Sequence, residues 1–459
     1  MAAVEMAQLD GIGEGHRGEK LAKFVAAAPG RDYPPEIIAA AKGALVDFVG
    51  VTIGSFEEPA AKATRAVAEA WGVPGKAQIF GAGTTNAAMA ALVNGTMAHC
   101  QDYDDTHIGG SGHIGAPVWS AALGVAGERG LDEKAALSGF ITGFEVMAHL
   151  GTGGIRGVGR NLQQCGFHPT GVHGVVGAAA ASAAMQGLDE EQSANALGAA
   201  ATSASGFVAS FGSDSKPYHA GRAAWNGILA ADLAANGFTA AKGLFEREKG
   251  MLAALIQDNR AEIPNIDFDD GWELLNNGYK PFACCRATHA SIAAAHKLTA
   301  QVKGRKVKRV TSKVHYNAPF SAGKTNPQSP LECKFSVAFC IAAALEGYSM
   351  VGTDFTERML RDPAVQAILP NVELLPQREQ PQFEAYLDVW LEDGTHLQSE
   401  TKLFLGHPQN PMSPEQVHAK FMSLVEPRLG AEKAERLLAT LYRFDEPGAL
   451  AETMALVRA

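Results

Sequence analysis

Apolar residues recur at helical spacing through most of the first 260 positions, interrupted by short polar or Gly-rich stretches. After Tyr33-Pro34-Pro35, the run EIIAAAKGALVDFVGVTIG carries its apolar side chains at the intervals of one helical face. The same pattern predicts helices over 59–71, 85–99, 116–129, 133–151, 171–186, 190–204 and 222–236. Several are apolar on most sides, GVVGAAAASAAMQG among them, which marks helices packed inside a multi-helix core. Their Ala and Gly side chains let neighbouring backbones approach closely.

The pattern changes near Asp267-Phe268-Asp269-Asp270. VKRVTSKVHYN (307–317) alternates as a half-exposed strand does, and FEAYLDVWLEDGTHLQSETKLFLG (383–406) reads as a hairpin turning at Asp393-Gly394. Helices at 286–302, 333–347 and 354–361 lie between these strands, which predicts an α+β unit. HPQNPMSPEQ (407–416) is a linker whose Ser413-Pro414-Glu415-Gln416 forms a capping box with Pro at the first helical position. The helices predicted at 414–424 and 430–441 return to the helical part. The expected organisation is mainly α: residues 17–266 with 410–459 form a large all-helical domain, 267–409 a smaller α+β domain, and 1–16 a mobile leader.

With 459 residues, 46% of them hydrophobic and 19% charged, the chain can bury a sizeable core. A net charge of −10 argues against nucleic acid as a partner, since phosphate binding needs a basic face. It leaves room for an anionic metabolite where a few Lys, Arg and His converge. The six cysteines contain no C-x-x-C pair and read as reduced thiols. No run of purely apolar residues approaches the ~20 needed to span a bilayer. Acidic Glu5, Asp10, Glu14 and Glu19 do not suit a signal peptide, so a cytoplasmic location without membrane association is expected.

Candidate chemistry concentrates in NGTMAHCQDYDDTHIGGSGHIGAP (94–117), which brings Asp102, Asp104, Asp105, His99, His107 and His113 beside flexible glycines. Such groups are costly to bury unless paired, so they are solvated or working. GFHPTGVHG (166–174) places His168 before a proline at the entry to an apolar helix, and SDSKPYHAGRAA (213–224) carries Lys216, His219 and Arg222 just ahead of another. GYKPFACCRATHA (278–290) adds Lys280, Arg286 and His289, and HYNAPF (315–320) adds His315 and Tyr316 at a strand end. Helix starts, Lys and Arg attract carboxylates, and His shuttles protons near neutral pH. Structural roles compete with each of these. Asp104 and Asp105 suit caps, His99 suits a satisfied core histidine, His107 and His173 suit ordinary loop or helix positions, and Arg222 suits an ion pair at a helix start. His168 and His173 lie five apart rather than the four that aligns ligands on one helical face, and no phosphate-binding, dinucleotide or iron–sulfur motif occurs. Cofactor-free acid–base chemistry is therefore expected, with no metal.

Taken in order, NG-x-x-x-H-x-x-D-x-DD, a following H-x-G, GFHPTG, KP-x-H-x-GRAA, KPF-x-CC-x-x-TH and YN-x-P resemble the MmgE/PrpD family over nearly the whole chain. The resemblance implies a large all-helical domain with a smaller α+β lid, a homodimer, and catalysis without metal or organic cofactor. It places active-site positions at Asp102, His113, His168, Lys216, Lys280 and Tyr316. Lys216, Arg222, Lys280 and His107 are the expected substrate-binding groups. One departure stands out: the family has His-Pro where this chain has His113-Ile114, after a Gly109-Gly110-Ser111-Gly112 loop.

Family activities include 2-methylcitrate dehydration, cis-aconitate decarboxylation and iminodisuccinate epimerisation, all on small di- or tricarboxylates. In the expected mechanism His113 and His168 move protons, the lysines hold carboxylates, Asp102 sets a neighbour's protonation, and Tyr316 closes from the lid. A hydro-lyase is the favoured expectation, because eliminating water uses this acid–base set most directly. A decarboxylase, an epimerase and a non-catalytic metabolite binder are the alternatives.

Overall fold

The structure, a computed structural model, describes residues 16–458 apart from 111, 153–156, 248, 257–262 and 264. The expected leader lies outside the described residues except for His16, and so does Ser111 of the Gly-rich loop.

The chain is mainly α, with a smaller α+β region towards its C-terminal side. Among the described residues, the first part is built on α1 (Arg17–Ala26), α2 (Pro35–Gly54), α3 (Pro59–Trp71), α4 (Ala87–His99), α5 (Gly115–Arg129), α6 (Glu133–Gly151), α7 (Val158–Gln164), α8 (Pro169–Gln186), α9 (Glu190–Thr202) and α10 (Ser215–Ala235), with a short helix Met251–Leu255 after them. At the centre, α8 packs against α6 and α10, and α10 against α4. A Cβ on Gly95 would lie 2.9 Å from Gly221 Cα, and one on Gly221 would collide with Leu92 O. These two glycines let α4 and α10 cross backbone to backbone, which brings the end of α4 close to the start of α10.

Two sequence expectations change here. The segment holding Lys216, His219 and Arg222 is not ahead of its helix but inside it, because α10 begins at Ser215 rather than near 222. Pro217 is tolerated there, since the first turn has no intrahelical bond for its missing N–H to break. In addition, α2 is long and apolar enough to cross a membrane, with 67% of its apolar window buried within the protein. Glu36, Lys42 and Asp47 break this helix into shorter apolar runs in the sequence; its packing against other helices accounts for its composition.

The C-terminal part holds a four-stranded sheet. Val307–His315 lies at its centre, parallel to Val372–Gln377 on one side and antiparallel to Ala385–Leu391 on the other. His396–Thr401 completes the hairpin at the far edge, turning at Gly394 with φ 91°. Ala385–Leu391 alternates buried and half-buried positions as its sequence does. The strand Val372–Gln377 escaped the sequence reading: it is a half-exposed edge strand containing Pro376, a residue that argues against a central strand. Pro414–Leu429 opens with the capping box seen in the sequence, Ser413 and Gln416 each bonding the other's backbone N–H, and this helix packs back against α2.

Candidate active site

The segment after α4 does not continue as helix. Asp102 takes φ 52°, a left-handed conformation uncommon for a residue with a side chain. The resulting turn carries Asp102, Asp104 and Asp105 inward, each only 2% exposed. Burying three carboxylates demands compensation, and each finds a different kind.

Asp102 finds ammonium groups. Lys216 Nζ donates to Asp102 Oδ1 at 2.5 Å, and Lys280 Nζ lies 3.1 Å from the same oxygen while donating to the Asp102 carbonyl at 2.8 Å. Burial alone would raise the Asp102 pKa; the two lysines, with His113, outweigh it and hold the carboxyl well below the usual range. Asp104 finds imidazoles. His99 Nδ1 lies 2.8 Å from its Oδ2, and His113 Nδ1 lies 3.2 Å from its Oδ1, off hydrogen-bond alignment. Burial would raise the Asp104 pKa too, and the two histidines reverse the effect. Asp105 finds only neutral donors, Gly115 N at 3.0 Å and Asn277 Nδ2 at 2.7 Å. Burial, with the charges of Asp47 and Asp104 beside it, pushes its pKa up to about 8.

Burial lowers the pKa of each histidine of the cluster, against the pull of Asp104 on His99 and His113. Burial lowers the His113 pKa to about 3, with Lys280, His99 and Lys216 adding to the effect against the pull of Asp104. The other His113 nitrogen, Nε2, lies 3.7 Å from Asp102 Oδ1. His168, the residue before α8, stacks against His99 with ring centroids 5.6 Å apart. Its Nδ1 meets His219 Nδ1 at 3.0 Å, so one of the pair donates and the other accepts. Burial and the nearby Lys216 hold His168 far below the usual histidine range.

Asp102, His113, His168 and Lys216 line one cavity, whose enclosed space is small, about 70 Å³. Phe211, Phe335 and Phe383 give it apolar walls, and His315 and Arg286 close it from the C-terminal part. Lys280 stands behind Asp102 rather than on the cavity wall.

Three expected positions lie elsewhere. His107 is fully buried between Gly110 N, which donates to its Nδ1 at 2.7 Å, and Glu273, whose Oε2 lies 2.8 Å from its Nε2; it braces the Gly-rich loop and does not line the cavity. Arg222 donates to Ser203 O and Ser205 O at 3.3 and 2.7 Å, fastening the loop whose Gly206 carbonyl accepts from His168 N. Tyr316 does not line the cavity: its hydroxyl accepts from Gln164 Nε2 at 3.3 Å at an exposed edge, and its ring lies 4.5 Å from that of His315, which does line it. In the opposite direction, His99 joins the cluster that the sequence reading had assigned to plain core. Arg160 on α7 lines the cavity without having been singled out, since nothing in GVGRNLQQ distinguishes it from a surface arginine.

His99, Asp102, Asp104 and His113 place ligand atoms within 4.8 Å of one another, the spacing of a cation site. Lys216 and Lys280 already supply Asp102 with the positive charge that a cation would bring, and would repel one.

A family model for the MmgE/PrpD N-terminal domain matches residues 19–264, and one for the MmgE/PrpD C-terminal domain matches residues 282–445. The cis-aconitate decarboxylases of Mus musculus and Homo sapiens are each 28% identical to the chain, covering 78% of it and 75% and 76% of their own lengths. A cis-aconitate decarboxylase-like protein of Aspergillus oryzae is 24% identical across 98% of this chain and 99% of its own. With both family domains matched along its length, the chain belongs to the MmgE/PrpD family.

Proposed function

We propose that the protein is a lyase that decarboxylates a small unsaturated tricarboxylate of the cis-aconitate kind, rather than the hydro-lyase favoured by the sequence. The choice of decarboxylation is supported by the relatives named above, which carry that activity in their names over three quarters or more of their lengths. Acid–base chemistry is supported by Asp102 and His113 on the cavity wall, with the buried Asp104 carboxylate behind His113.

In such a reaction an allylic CH2–CO2⁻ group releases carbon dioxide as its C–C bond breaks. That electron pair becomes a new C=C bond, and the former alkene pair takes a proton at its far carbon. One proton donor is needed at that carbon, along with cations for the remaining carboxylates and little water. His113 is the proposed donor: it lines the cavity, with the Asp104 carboxylate 3.2 Å from its Nδ1 and Asp102 3.7 Å from its Nε2. An entering polyanion offsets the lysine charges that help keep His113 neutral, so its pKa rises as substrate binds. Lys216 stabilises charge spreading over the carbon framework, and Lys280 positions Asp102. His168, backed by His219, is a second proton-transfer group on the same cavity. The exposed Trp71, Leu229 and Leu233 support the further proposal of a homodimer.

Proton NMR in heavy water, with carbon dioxide measured in parallel, tests the reaction on chelator-treated protein. Stoichiometric carbon dioxide from cis-aconitate is the expected result. Loss of water from 2-methylcitrate or citrate without carbon dioxide would replace decarboxylation by hydro-lyase chemistry. Deuterium entering a stereocentre without elimination would replace it by epimerisation.

A further inference from the structure

The cations of the cavity divide into two sets. Lys216 meets a carboxylate; among the described residues Arg160 and Arg286 meet none. Arg160 is 5% exposed, donates from Nη1 to Gln163 Oε1 at 3.2 Å, and leaves Nη2 buried without a partner. Arg286 reaches only the His107 carbonyl, at 3.4 Å, and lies over the Phe383 ring at 5.5 Å. Among the described residues, no carboxylate neutralises either guanidinium, and both line the same cavity. Burial, with the like charge of Arg286, lowers Arg160 to about 9.

A buried, unpaired arginine is expensive and folding gains nothing from it. A second one beside it raises the cost. Both become favourable when a carboxylate enters, because the planar guanidinium matches a carboxylate with two parallel hydrogen bonds.

We infer that Arg160 and Arg286 form a carboxylate subsite that holds an acid group remote from the reacting carbon and selects for substrates that carry one. Arg160 comes from α7 and Arg286 from the C-terminal part, so one carboxylate bridging them also ties the two parts together over the cavity. The inference rests on the proposed polycarboxylate substrate but does not depend on which bond of it breaks.

Binding is therefore measured without turnover. Calorimetry with tricarballylate, a saturated tricarboxylate, is compared with glutarate and with butyrate for the wild type, Arg160→Met and Arg286→Met. Each substitution is expected to weaken tricarballylate by about 10- to 100-fold, the worth of charge-assisted hydrogen bonds. Butyrate, with no second acid group, should change by less than about threefold. Because Arg160→Met removes an unpaired buried charge, the ligand-free variant should unfold at the same or a higher temperature than wild type. Equal losses for tricarballylate and butyrate, or a strongly destabilised Arg160→Met protein together with unaltered tricarballylate binding in Arg286→Met, would overturn the subsite. Tight, arginine-dependent tricarballylate binding with no carbon dioxide from cis-aconitate would support the subsite while removing the proposed reaction.

Discussion

On the wall built by the end of α4 and the start of α10, Lys216 and Lys280 both converge on Asp102. On the wall built by α7 and the segment around Arg286, two guanidiniums face the cavity with no carboxylate between them among the described residues. The first wall is built before any ligand arrives: two ammonium groups share the Asp102 carboxylate, two imidazoles flank Asp104, and the geometry is fixed by glycines where α4 and α10 cross. The second is completed by its ligand. The contrast separates residues that should govern turnover from residues that should govern binding.

The sharpest way to break that division is to remove the shared counter-charge. Asp102→Asn leaves two buried ammonium groups facing an amide, and the expected loss is about 3–5 kcal/mol of stability, read from the denaturant midpoint. An unchanged midpoint would mean that the lysines find other partners and that the wall is not an interdependent unit. Within the same wall, His113→Gln should lower kcat by about 10²- to 10⁴-fold with KM little altered. Arg286→Met on the opposite wall should instead raise KM. Parallel changes in both constants for both variants would erase the distinction.

A smaller effect concerns acid. Burial holds His113 at about 3 and His173 and His219 at about 4, below the ~6.5 of an unfolded histidine. Between these values the unfolded chain binds protons that the folded one does not, so stability rises with pH there. The contribution is fully present above pH ~6.5 and is lost as pH falls through the folded values. Asp105, raised to about 8, works in the opposite sense: its contribution is present below the ordinary aspartate value and is lost as pH rises through about 8. Stability should therefore peak near neutral pH. His173 offers a clean test, because desolvation alone shifts it. His173→Gln should flatten the acid limb by up to one proton, about 1.4 kcal/mol per pH unit. An unaltered slope would place the acid sensitivity in other groups.

Much of this was legible in the chain. The helical period marked nearly every helix of the first part, and the D-G turn with its alternating flanks marked the hairpin. Asp102, His113, His168 and Lys216 could be singled out because polar residues in Gly- and Pro-punctuated segments between apolar helices have few structural reasons to be there. What stayed hidden depends on tertiary approach. His99 occupies a regular apolar helix, and only the left-handed turn at Asp102 brings Asp104 back onto it. Arg160 has no local signal because its meaning lies in the carboxylate that is absent beside it. His107 and Arg222 sit in the right segments, yet one spends its ring on a loop and Glu273, and the other on two carbonyls.

Tyr316 gives the smallest expected effect and the finest test of the two-wall division. The family resemblance places it among the active-site positions, as an acid closing from the C-terminal part. In the structure its hydroxyl meets only the Gln164 amide, its ring lies beneath the Arg378 guanidinium at 5.3 Å, and His315 takes the cavity-facing position one residue earlier. Tyr316 follows the last strand residue with helical backbone, and its ring lies 4.5 Å from that of His315, so it sits beside the cavity-lining residue and not on the wall itself. Tyr316→Phe removes the hydroxyl and keeps the ring; turnover should fall by less than about threefold, whereas loss of a proton donor costs about 10²-fold or more. A hundredfold loss would mean that the strand end rotates when substrate binds, bringing Tyr316 inward. The arginine wall would then be part of a moving surface, and His315→Gln should in that case be nearly silent.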